Sequence, residues 1–80
     1  MSAMKAFEAD VDELTLVAFK VALMDGDDER ARALNVVFAE CGRKAEAYPD
    51  PLEAAKAFVV EVTSVYVRAR NFLRLEDPHV

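Results

Sequence analysis

Apolar residues recur at helical spacing in three stretches of similar length, separated by Asp25-Gly26-Asp27-Asp28 and Tyr48-Pro49-Asp50-Pro51. In the first stretch, Phe7, Val11, Leu14, Val17, Ala18, Val21 and Met24 share one side when successive residues turn by about 100°. The spacing predicts a helix over about residues 4–24, stopped where Gly26 can take a left-handed conformation. Asp27, Asp28 and Glu29 then offer a cap and a negative first turn to a second helix over about 28–47. Its stripe is Ala31, Leu34, Val37, Phe38, Cys41, Ala45 and Tyr48. Gly42 interrupts it at a cost of about 1 kcal/mol relative to alanine. Because Ala45 and Tyr48 carry the stripe onward, the helix is expected to continue through the glycine.

The third stretch has the clearest start. Asp50 as N-cap, Pro51 at the first helical position and Glu53 two residues later suit the unpaired amides and the dipole of a helix over about 51–76. Leu52, Ala55, Phe58, Val59, Val62, Val65, Tyr66, Ala69, Phe72 and Leu73 form its broad stripe, and Pro78 closes the pattern. The expected fold is all-α, a three-helix up-down-up bundle forming a single domain over residues 1–80. A small α+β domain is the alternative, since Leu14 to Leu23 and Phe58 to Val67 are rich in the β-branched and aromatic residues that strands favour. Fourteen alanines, clear caps and three near-equal lengths agree on helices.

The first helix carries a second apolar stripe. Leu16, Phe19 and Leu23 lie opposite Leu14, on a side that begins with Lys5, Glu8 and Asp12 and turns apolar midway. A three-helix bundle uses one broad arc of each helix. Burying three such side chains is worth roughly 5–8 kcal/mol, comparable with the net stability of a whole chain of this size, about 4–12 kcal/mol. The stripe has three possible destinations: other parts of the same chain, a copy of it in a dimer, or a different protein. Self-association through helix 1 is the expectation, with Leu16, Phe19, Lys20 and Leu23 at the contact and Val60 and Val67 adding a smaller one from helix 3. Lys20 and Glu61 each interrupt an apolar run, and an ion pair between them is one role for both.

Composition narrows the chemistry. The chain is 54% hydrophobic and 31% charged, which fits a packed domain near the lower size limit for folding unaided. Cys41 is the only cysteine, so an intrachain disulfide is excluded, and it lies in the core stripe where thiols are inert. The single histidine, His79, is next to last, so no histidine-based metal set can be assembled. The acidic Asp25–Glu29 turn lacks the alternation and distal glutamate of a calcium loop. Two glycines provide no phosphate-binding loop, and no serine stands in a nucleophile setting. An acyl carrier would match in size and acidity, but the Asp-Ser-Leu attachment motif of that family is missing. Neither an enzyme nor a cofactor is therefore expected.

Net charge is −5, and residues 1–40 hold four Lys/Arg against nine Asp/Glu. That balance disfavours phosphate binding. Lys56, Arg70 and Arg74 share one face of helix 3, and a nucleic-acid-associated regulator using them is the alternative function. The acidic first turns after both connections argue against a recognition helix. The apolar run Leu14 to Met24, about half a bilayer span, and a start without a basic-then-apolar leader lead us to expect a cytoplasmic protein with no membrane role. The expected function is a protein–protein interaction module, such as a regulator, inhibitor, assembly chaperone or accessory factor. Compactness alone suggests a small bacterial or phage protein.

Overall fold

A computed structural model describes the backbone of residues 3–76 and the side chains of 4–74. Three helices, α1 (Ala3–Ala22), α2 (Asp27–Ala45) and α3 (Pro51–Glu76), pack against one another as an up-down-up bundle. No strand occurs among the described residues, so the α+β alternative falls. Helical burial of the alanines and branched residues outweighs the strand preference of the two apolar runs.

The core is drawn from all three expected stripes: Leu14, Ala18 and Val21 from α1, Val37, Cys41 and Ala45 from α2, and Phe58 and Val62 from α3, joined by Ala54, which lies outside the expected stripe. Phe58 is fully buried. It stacks on Phe7 at 5.0 Å between centroids and meets Tyr48 edge-on at 5.8 Å, so one aromatic cluster joins α1, α3 and the end of α2. Such contacts add about 0.5–1.5 kcal/mol each beyond area burial. α1 packs most extensively against α3, and the two run parallel, as a three-element up-down-up order requires.

Each connection departs somewhat from expectation. α1 ends at Ala22, and the amides of Leu23 and Met24 reach back three residues to Lys20 and Val21 at 3.1 and 3.0 Å. Gly26, with φ of +91°, is the N-cap of α2, and neither Asp27 nor Asp28 makes the expected side-chain cap. Asp27 instead pairs with Arg30, whose Nη1 also donates to the Met24 carbonyl at 2.7 Å and pins the turn. α2 runs through Gly42, as its stripe predicts, and ends at Ala45, short of the expected 47. Asp50 Oδ1 accepts the Glu53 amide at 3.2 Å, the N-cap read from the sequence.

The stripes overreach at their edges. Val17, Met24, Ala31, Leu52 and Phe72 are exposed, whereas Ala22 is buried. Small residues can be buried where helices approach closely, and angular position alone does not show where that happens. His79 and Pro78 lie outside the described residues.

Candidate protein-docking face

α1 is held in place from two sides, and neither neighbour covers its outer flank. On the α2 side, Lys44 Nζ lies 2.9 Å from Glu13 Oε2 and 3.6 Å from Asp10 Oδ1, and the Tyr48 hydroxyl donates to Asp10 Oδ2 at 2.6 Å. The hydrogen bond to the Glu13 carboxylate pushes the Lys44 ammonium above its ordinary pKa and outweighs desolvation, which acts in the opposite direction. On the α3 side, Arg70 Nη1 donates to the Ala22 carbonyl at 2.9 Å, one of the carbonyls that the end of α1 leaves unpaired.

The flank left open carries the surplus stripe. Leu16, Phe19 and Leu23 remain 55, 45 and 50% exposed, and on α3 Val60 and Val67 remain 64 and 46% exposed. Burial beneath the chain's own helices is thereby excluded for all five. Val60 is shared with α1, lining a cleft with Phe7 and Val11 of that helix, and Val67 follows two turns later on the same side of α3. Leu16 and Phe19 turn away from α2, and Val60 and Val67 lie seven residues apart on the side of α3 away from its buried stripe. Lys20 is also exposed. It makes no ion pair among the described residues, and neither does Glu61, so the anticipated pairing of the two does not form. Lys20 sits in the last turn of α1, whereas Glu61 lies beside the first half of that helix.

A feature missing from the sequence reading is a cleft of about 600 Å³ where the first halves of α1 and α3 run side by side. Phe7, Val11, Ala57 and Val60 line it with apolar surface, and Glu8, Asp12, Glu53, Glu61 and Lys56 supply charge. Ala57 is the legible trace of it: a small residue leaves room where a larger one would fill the groove. Periodicity places Ala57 on α3, but does not place α1 beside it.

The three candidate nucleic-acid residues do not act as a group. Lys56 Nζ lies 3.7 Å from Glu53 Oε1 among the cleft's carboxylates. Arg70 is half-buried and engaged with the end of α1, while Arg74 is exposed near Leu23 and Met24. Phosphate approaching Lys56 would meet four acidic groups first.

Other chemistry is sparse. Among the described residues, no cluster of three or more His, Cys, Asp or Glu is arranged to hold a metal ion. Cys41 is buried, and burial pushes its thiol pKa up, away from the reactive thiolate. Among the described residues no helix is long and apolar enough to cross a membrane. No protein-family model matches the chain, and neither a curated protein nor a solved structure matches it significantly.

Proposed function

We propose that the protein is a small protein–protein interaction module that associates with a copy of itself through the outer flank of α1. The observation that carries this is the exposure of Leu16, Phe19 and Leu23 on one side of α1, three large apolar side chains within two turns, with Val60 and Val67 exposed on α3. Each of the three α1 side chains is about half exposed, so covering the remainder is worth about 1 kcal/mol apiece. Over two copies, with the valines included, the gain is about 10 kcal/mol. Association costs about 4–15 kcal/mol. At the low end of that cost about 6 kcal/mol remains, a dissociation constant of tens of micromolar at best, which describes a weak dimer suited to exchange rather than an obligate assembly.

The test is a double substitution, Leu16→Glu with Phe19→Glu, followed by light scattering over a range of concentrations. The expected outcome is a folded monomer where the wild type dimerises. Retained dimerisation by a folded double variant would remove α1 from the contact.

A further inference from the structure

The α1–α3 face is charged in opposite senses at its two ends. Around the cleft at its N-terminal end, Glu8, Asp12, Glu53 and Glu61 outnumber Lys5 and Lys56, and Glu8, Asp12 and Glu61 make no ion pair among the described residues. Toward its other end stand Lys20 on α1 and Arg68 and Arg74 on α3, all exposed and likewise without an ion pair among the described residues. Arg74 shares a hollow with Leu23, Arg70 and the single acid Asp25, which ties the net cationic end of α3 to the end of the apolar stripe. Between the two charged ends lie Leu16, Phe19 and Val67.

We infer that this face is covered by the same face of a second copy lying antiparallel, related by a two-fold axis that crosses α1 near Leu16. The inference rests on the self-association reading and adds its orientation. Leu16 lies one turn from Asp12 on one side and one turn from Lys20 on the other. An axis at its level brings Asp12 of each copy beside Lys20 of its mate, and Arg68 and Arg74 toward the acidic cleft. The apolar middle meets itself, as a two-fold contact requires. A parallel copy would stack carboxylate on carboxylate and cation on cation, so charge selects against it. The net charge of −5 opposes any pairing. At physiological salt, however, repulsion fades beyond about 8 Å, and the groups in contact decide the orientation.

Charge reversal separates the arrangements. Both Lys20 and Asp12 are exposed, so Lys20→Glu and Asp12→Lys leave the fold intact, with circular dichroism as the check. Dissociation constants come from sedimentation equilibrium at physiological salt. Each single variant is expected to dimerise roughly tenfold more weakly, because two symmetric contacts turn from attraction to repulsion. An equimolar mixture of the two single variants restores wild-type affinity as a heterodimer, and the double variant Lys20→Glu with Asp12→Lys restores it as a homodimer. Single variants that match the wild type, or a mixture that stays monomeric, would overturn the antiparallel arrangement while self-association stands. A wild type that is monomeric at every concentration would overturn both.

Discussion

The Tyr48 hydroxyl donates to the Asp10 carboxylate at 2.6 Å, joining the turn after α2 to the first half of α1. Because that carboxylate holds the phenolic proton, the Tyr48 pKa is pushed up from 10.0 to about 12. The protonated phenol is thus favoured by folding. Its contribution is complete below the unfolded value of about 10 and is lost as pH rises through about 12. Lys44, also raised, shifts in the same sense, losing its share above its ordinary value. The protein should therefore weaken toward high pH, with a urea midpoint that falls between about pH 10 and about pH 12. Tyr48→Phe should show a shallower fall over that window. A midpoint equally steep in both proteins would remove this contact as the cause.

Leu14 and Leu16 are two residues apart and meet opposite fates, the first buried and the second 55% exposed. Leu14→Ala should cost about 2–5 kcal/mol, since it empties space inside the core. Leu16→Ala should change the stability of the monomer by about 0.5 kcal/mol or less. Chemical denaturation at low protein concentration measures both. A comparable loss at Leu16 would mean that the bundle, not a partner, uses that side chain.

The two glycines should respond in opposite directions to alanine. Gly42 lies within α2, and an added Cβ would meet nothing within 4 Å. Gly42→Ala should thus stabilise by about 0.5–1 kcal/mol. At Gly26 the φ of +91° disfavours a side chain, and a Cβ would lie 2.6 Å from Glu29 Oε2. Gly26→Ala should destabilise by about 1 kcal/mol or more. Thermal unfolding of the two variants gives shifts of opposite sign if both assignments hold.

Arg70 serves the fold through the Ala22 carbonyl, whereas Arg74 makes no hydrogen bond or ion pair among the described residues. Arg70→Ala should cost about 1.5 kcal/mol, the low end for a charge-assisted hydrogen bond, as suits a half-buried site. Arg74→Ala should be within about 0.5 kcal/mol of wild type. Equilibrium unfolding of each variant tests the difference. The same pair tests the nucleic-acid alternative: binding through both arginines would be steeply salt-dependent and weakened by either change. Passage through immobilised nucleic acid at low salt would leave Arg70 with its structural task alone.

Helix number, the Asp50–Pro51 start and most of the core were legible in the sequence, because each depends on local geometry. Leu14, Ala18, Val37, Cys41, Phe58 and Val62 sit where their periodicity places them. The same periodicity separated Leu16, Phe19 and Leu23 from that core. Whether anything covered them was a different matter, since angular position on a helix says nothing about where its neighbours stand. Only tertiary packing placed both α2 and α3 away from the stripe, left Leu52 and Phe72 outside, and drew Ala22 in. It also opened the cleft beside Ala57 and turned Arg70 toward a carbonyl 48 residues away in the chain. Local pattern determines which faces are apolar; the meeting of faces distant in sequence decides which of them stay wet.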